Sequence, residues 1–412
     1  MTRDTTKLSN SRRRFLKSGA LGATAALAGC ASLTGSGSDK ITIGLLQPFT
    51  GEVSWVGKSS EKAVNLAIDE INDAGGINGA DVELVTEDSE ASQQTAVSAQ
   101  RKLINSDSVT ALIGPTSFTL PAVMNIAQQK KVVQISPTAG TSKLDNKGGE
   151  YVFRTSTSDS VGGKAMAKLA VDQGVEKMAV MYVDNQGGVS FGKTVAESFE
   201  KLGGTVTAEV SFSAGKSSYR SELNKAFADD PEFVSLTAGA QTGSTIINQW
   251  HELDLGGVWG LSNDMKTSGF VSDLGQKLEG SYAIAPSHGG SQYETFVEDY
   301  KEKTGSEPKP FTPEAYDAMN LVALALAKAG ENSRQAVADN LGAVSKPDGT
   351  VVSTFADGTD ALDAGDAVDY NGASGPVNLD GKGNVRSDFG MFQSTGDAWE
   401  QQREIKASEL TF

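Results

Sequence analysis

Apolar residues along the chain fall into short runs, separated by stretches where they recur at every third or fourth position. The run at 41–46 (ITIGLL) has the length of a strand. Val64, Ala67, Ile68 and Ile71 follow at helical spacing, and Gly75-Gly76 stop that helix. A strand at 82–85 comes next, then a helix through Ala96, Val97, Gln100, Leu103 and Ile104. A strand at 109–113, a helix at 120–129 and a strand at 132–135 continue the series. After Thr155 the pattern resumes. Strands near 177–183, 205–212, 232–237 and 257–261 are separated by helices near 160–173, 190–202, 217–228 and 243–252. Such alternation, written twice, predicts an α/β protein with two open sheets of parallel strands and right-handed crossovers. Helices near 291–304, 312–330 and 333–341 are expected to return to the first half. The Gly-, Ala- and Asp-rich stretch 347–369 reads as irregular.

In open α/β sheets, ligands sit beyond the carboxyl ends of the strands. That rule selects six loops: 47–57, 114–119 and 136–143 in the first half, and 184–192, 238–244 and 262–267 in the second. If the halves face each other, all six line one cleft.

The N-terminus adds a location. Ser11-Arg12-Arg13-Arg14-Phe15-Leu16-Lys17 is a twin-arginine export pattern, and a weakly apolar run leads from Gly19 to Leu27-Ala28-Gly29-Cys30. That run is much shorter than the roughly 20 residues a bilayer-spanning helix needs. Small residues before a cysteine resemble the lipobox of lipoproteins. The resemblance implies a signal peptide over 1–29, cleavage before Cys30, a lipid on its thiol and a Ser/Gly tether over 30–40. Cys30 is the single cysteine, so no intrachain disulfide can form. Six of the 36 Lys and Arg but one of the 52 Asp and Glu lie in 1–29, so the remainder carries a net charge of −21. An acidic surface disfavours nucleic acid and anionic membranes as partners. Dispersed acidity also resembles that of proteins adapted to high salt, where screening is strong. With His251 and His288 the only histidines, no His/Cys metal centre can be assembled, and neither metal nor cofactor is expected.

The strand-end loops carry a family resemblance. Pro48-Phe49-Thr50-Gly51 with Gly57, Ala74-Gly75-Gly76-Ile77-Asn78-Gly79, and Val82-Glu83-Leu84 with Asp88 resemble the opening of type I periplasmic solute-binding proteins. Within that family they are similar to the branched-chain amino acid receptors of ABC importers. Ile113-Gly114-Pro115 with Ser117, Ile135-Ser136-Pro137 with Ala139 and Thr141, Phe191-Gly192, Ala315-Tyr316-Asp317-Ala318 and Gly375-Pro376-Val377-Asn378-Leu379-Asp380 continue the likeness in order.

The resemblance implies two Rossmann-like lobes with parallel central sheets, joined by a three-crossover hinge. The first lobe would take 41–156 and 286–377, and the second 157–285 and 378–412. Crossings are expected near 155–158, 285–288 and 378–386. It further implies a non-enzymatic, extracytoplasmic receptor, monomeric and lipid-anchored to the outer face of the membrane. Such a receptor captures an amino acid or related small solute and delivers it to ABC permease and ATPase subunits. Ser117, Ala139 and Thr141 would meet the ligand's head group through hydroxyls and backbone amides. Asp264 is the candidate partner for an ammonium, with Asn263 and Ser262 as alternatives. Trp55 could lie over an apolar side chain. Phe191 and Gln241 stand where relatives often carry Tyr and an aromatic, which weakens a specific branched-chain assignment.

Two other readings compete. One is a sensing lipoprotein receptor without a transport role. The other is an NTPase, because Gly187 to Thr194 (GGVSFGKT) fits the phosphate-loop pattern between a strand and a helix. Export and the lack of a convincing magnesium-binding strand count against the second.

Overall fold

The structure, a computed structural model, describes residues 40–288 and 292–412. The expected signal peptide, Cys30 and the tether up to residue 39 lie outside the described residues.

The first lobe begins with β1 (Ile41–Gln47), α1 (Ser54–Asp73), β2 (Val82–Asp88), α2 (Gln93–Asn105), β3 (Ala111–Ile113), α3 (Leu120–Lys130), β4 (Val133–Ser136) and β5 (Val152–Arg154). Its strands form one parallel sheet in the order β2-β1-β3-β4-β5. The second lobe runs through α4 (Asp159–Asp172), β6 (Lys177–Val183), α5 (Gln186–Lys201), β7 (Thr205–Phe212), α6 (Arg220–Ala226), β8 (Phe233–Thr237), α7 (Ala240–Glu252), β9 (Val258–Leu261), α8 (Ser268–Leu274) and β10 (Tyr282–Pro286). The chain then gives α9 (Tyr293–Thr304), α10 (Thr312–Ala329), α11 (Arg334–Asn340), β11 (Thr350–Val352), α12 (Phe355–Asp363), β12 (Val368–Gly372) and β13 (Gly375–Pro376), and ends on β14 (Phe389–Ser394) and β15 (Trp399–Ile405).

The second sheet has the order β15-β14-β10-β9-β8-β6-β7. Its β7-β6-β8-β9-β10 portion repeats the winding of the first sheet. Each sheet therefore has a switch point, β1/β3 in one and β6/β8 in the other, where connections leave in opposite directions and open a crevice. β14 and β15 extend the second sheet as an antiparallel pair. Periodicity alone does not reveal β15, because its WEQQREI sequence is mostly polar and its middle residues are exposed.

The stretch 347–369 is not irregular, contrary to expectation. It holds β11 and α12 and leads into β12, and β11, β12 and β13 form a small third sheet. Gly358 reads as a helix breaker in sequence but serves contact here. A Cβ on it would lie 2.3 Å from Leu324 of α10, so the missing side chain lets α12 press against α10. Thr354 caps α12 by accepting the Asp357 N–H.

Helices cover both faces of each sheet. On one face of the first, α1, α9 and α10 bury Val64, Ile68, Ile71, Phe296, Tyr316 and Leu324. Residues 312–326 of α10 are all buried, as expected of a helix apolar nearly all round. The second lobe has one core under α6–α8, around Trp259, and one under α4 and α5, around Phe199 and Phe233. Among the described residues, no helix is long and apolar enough to cross a membrane.

Three chain segments pass between the lobes and are bonded to one another. Thr157 Oγ1 donates to Ser387 Oγ at 2.8 Å and accepts the Ser387 N–H at 3.0 Å. The Ser287 N–H donates to the Asp388 carbonyl at 2.8 Å. Thr155 Oγ1 ties the first crossing to α10 through the Glu314 carbonyl, also at 2.8 Å.

Candidate ligand-binding cleft

The carboxyl ends of both sheets face each other, and their loops touch. The Ser142 N–H, in the loop after β4, donates to Ser190 Oγ of α5 at 3.0 Å. The Asp159 N–H, at the start of α4, donates to the Gly140 carbonyl at 2.6 Å. Thr242 Oγ1 of α7 donates to Glu52 Oε1, in the loop after β1, at 3.4 Å. Ser117 Cβ lies 3.8 Å from where a Cβ on Gly187 would stand.

On the first-lobe wall, Ser117 is buried and its oxygen accepts the Thr141 N–H at 3.2 Å. Its hydroxyl proton remains available for an anionic group. Thr141 Oγ1 accepts the Lys143 N–H at 3.4 Å and likewise keeps its proton. Ala139 differs from expectation. Its N–H is committed to Ser136 Oγ at 3.0 Å and its carbonyl accepts Arg154 Nη1 at 3.4 Å, so its amide is not a free donor. Trp55 is half-buried in the first turn of α1, and its ring faces Lys309, whose Nζ is 5.9 Å from the centroid.

The second-lobe wall carries acid. Asp264, in a single 3₁₀ turn after β9, keeps some accessible surface, yet burial raises its carboxyl to about 6. Lys266 does not pair with it; the ammonium sits 3.8 Å from the Phe392 ring centroid. Asp159 is a second acid that sequence reading missed. Burial raises its carboxyl to about 7, Ser190 and Arg154 oppose the shift, and Asp145 and Asp264 add to it. Its Oδ2 has no partner among the described residues. The available signal was its place as the first helical residue after the crossing.

Phe191 and Gln241 do not join this group. The Phe191 ring packs on Gly162 of α4, 2.9 Å from where a Cβ there would stand, beside Phe389. Gln241 is exposed in the first turn of α7, and its neighbour Thr242 makes the contact with Glu52. Ser262 is buried with its hydroxyl unpartnered among the described residues, as are Thr237 at the end of β8, Thr116 after β3 and Thr138 after β4. A buried hydroxyl without a partner costs roughly 1–3 kcal/mol, so an occupant with polar groups would relieve several such penalties together.

The phosphate-loop pattern has no loop. Residues 187–194 lie inside α5, which starts at Gln186 behind an Asn185 cap. Two of its glycines serve packing: a Cβ on Gly188 would lie 2.2 Å from the Val183 carbonyl oxygen, and one on Gly192 would lie 2.2 Å from the Tyr182 ring. Lys193 is exposed.

Two sheets wound alike, with facing strand ends and crossings bonded to one another, define a two-lobed binding-protein fold. A family model described as periplasmic binding protein matches residues 40–388. The chain belongs to that family. It is 30% identical over 355 residues to the chemotactic signal transduction system substrate-binding protein BasB of Halobacterium salinarum, covering 82% of this chain and 83% of the relative. It is 27% identical over 324 residues to the leucine-, isoleucine-, valine-, threonine- and alanine-binding protein of Pseudomonas aeruginosa, covering 77% and 86%. Its fold is similar to the crystal structure of a leucine-binding protein, LivK, from Thermotoga maritima, with a TM-score of 0.77 and 23% identity over 90% of this chain and 99% of the other.

Proposed function

We propose that this protein is the exported solute receptor of an ABC importer and that it closes its two lobes on an amino acid. One observation carries the reading: facing walls, one rich in hydroxyls and one holding the carboxylates of Asp159 and Asp264. An amino acid is a zwitterion and suits that division. Its carboxylate would take the hydroxyls of Ser117 and Thr141, with Thr116 and Thr138 nearby. Its ammonium would lie against Asp264 and Asp159. Hydrogen bonds to charged groups contribute roughly 1.5–3 kcal/mol each. A ligand touching both walls favours the closed form, since only that form makes both sets of contacts. Relatives named for Leu, Ile and Val binding support a branched-chain or other small amino acid. Twin-arginine export, lipidation of Cys30 and adaptation to high salt complete the proposal and rest on the sequence patterns alone.

A second reading has specific support, because the Halobacterium relative is named for chemotactic signal transduction. The same closed form could present itself to a membrane transducer. Thermal denaturation of the purified protein in high salt against a panel of amino acids tests the shared core of both readings. A ligand present at 100 times its Kd adds about 2.7 kcal/mol of stability. A panel in which no amino acid raises Tm contradicts the proposal.

A further inference from the structure

The loop that would meet the ligand's head group is gripped from behind by a buried guanidinium. Arg154, the last residue of β5, is fully buried. Its Nη1 donates to the carbonyls of Ala139, Gly140 and Thr141 at 3.4, 3.1 and 3.2 Å. Its Nη2 donates to Asp145 Oδ1 at 2.5 Å. The same carboxylate accepts the Ser158 hydroxyl at 2.6 Å and the Ser160 hydroxyl at 2.7 Å. Ser158 is the cap of α4, and α4 is the first helix of the second lobe. An unbroken polar chain therefore runs from the head-group loop, through Arg154 and Asp145, to the point where the chain enters the other lobe. The loop is held on its other side as well. The Gly140 carbonyl also accepts the Asp159 N–H at 2.6 Å, and a Cβ on Gly140 would stand 2.1 Å from Asp159 Oδ1.

A buried ion pair is weak evidence for stability, since the cost of desolvating two charges offsets much of their attraction. The geometry here fits a different use. Three successive carbonyls are drawn to one side, which fixes the shape of the loop that carries Thr141, and the Thr141 N–H in turn bonds to Ser117 Oγ of the neighbouring loop. A planar fork reaches three carbonyls and a carboxylate at once; a lysine ammonium has the charge without that span.

We propose that Arg154 is a positioning residue for ligand capture, and that through Asp145 it makes the shape of the 139–141 loop depend on the seating of α4. The inference rests on the amino-acid reading above. Its test uses the protein with any amino acid that raises Tm in the panel, and calorimetric Kd values for wild type, Arg154→Lys and Asp145→Asn. Arg154→Lys is expected to weaken binding by about tenfold, the loss of one charge-assisted hydrogen bond. Asp145→Asn touches no ligand-facing atom and is expected to weaken binding by a similar factor. The double variant should lose little more than either alone, because both break one chain. A merely structural role would lower the Tm of the ligand-free variants and leave Kd within twofold of wild type, and that result overturns the proposal. If Arg154→Lys weakens binding while Asp145→Asn binds as wild type, the link to α4 is overturned. Failure of the wild-type protein to bind any amino acid refutes the underlying reading instead, whatever the variants do.

Discussion

At the carboxyl ends of β3 and β4 the polar groups largely hold one another. Ser136 accepts the N–H groups of Thr138 and Ala139, Ser117 accepts that of Thr141, and Arg154 takes three carbonyls. Across the cleft, at the ends of β8 and β9 and the start of α4, fewer such bonds exist. Among the described residues each wall keeps two buried hydroxyls without a partner, Thr116 and Thr138 on the first and Thr237 and Ser262 on the second; what sets the second apart is acid, since Asp159 has an unpartnered oxygen and burial raises the carboxyls of both Asp159 and Asp264. Two sheets of the same winding have thus been prepared differently. The first lobe offers a braced surface and the second offers charge that still lacks a counterpart.

The largest expected effect tests the acidic wall. Asp264→Asn should weaken amino acid binding by about 10–100-fold, the equivalent of one charged hydrogen bond, as read by calorimetry. A Kd within threefold of wild type would remove Asp264 from the ammonium site.

Asp317 separates folding from binding. It lies buried in α10 and accepts the Tyr370 hydroxyl at 2.8 Å, the Ala373 N–H at 2.9 Å and the Ser374 N–H at 2.7 Å. Asp317→Asn should cost about 1–3 kcal/mol of stability by leaving donors unmet. Chemical denaturation would measure it, and Kd should not change.

The pH response should have opposite signs for stability and for binding. Burial raises Asp159 to about 7, and Asp264 and Asp317 to about 6, from an ordinary 3.8. Between the ordinary value and the raised ones, the folded form binds more protons than the unfolded chain. These groups therefore make the ligand-free protein lose stability as pH rises through that window. An ammonium needs the ionised carboxylates, so affinity should rise with pH over about 5–7 and level off above it. Asp264→Asn should flatten part of that profile.

Smaller effects concern the lobe contact and the phosphate-loop pattern. Glu52 places its carboxylate near the N-terminus of α7, which has no side-chain cap of its own. Glu52→Gln should remove about 0.3–1 kcal/mol of helix-dipole attraction and raise Kd two- to fivefold. Lys193→Ala should change neither Kd nor Tm measurably, since Lys193 is exposed within α5.

Hydrophobic periodicity was sufficient for the βα alternation, because buried parallel strands such as β6 and β8 are short apolar runs between amphipathic helices. It failed where burial and polarity part company. β15 is polar yet paired, and Gly358 and Asp363 belong to α12 although their residue types suggest a loop. The places of the six strand ends were legible because they follow from strand order alone, but the loop lengths were not: α5 starts at Gln186 inside the expected 184–192 loop, α7 at Ala240 inside 238–244 and α1 at Ser54 inside 47–57. The roles of single residues were less legible. Ser117 and Thr141 lie on the first wall, but the Ala139 amide is spent on Ser136, and the Phe191 ring is spent on Gly162. Asp159 and Arg154 escaped notice because one looks like an ordinary helix-start acid and the other like a surface base. Only the three-dimensional meeting of β5, α4 and the loop after β4 brings both against Gly140.

The claim that a small solute bridges two differently prepared walls is tested most directly by small-angle X-ray scattering. Curves would be recorded with and without a saturating amino acid that raises Tm. A smaller radius of gyration on binding, reached by Asp264→Asn only at about 10–100-fold higher ligand concentration, is the predicted result. Binding with no compaction at all would contradict it.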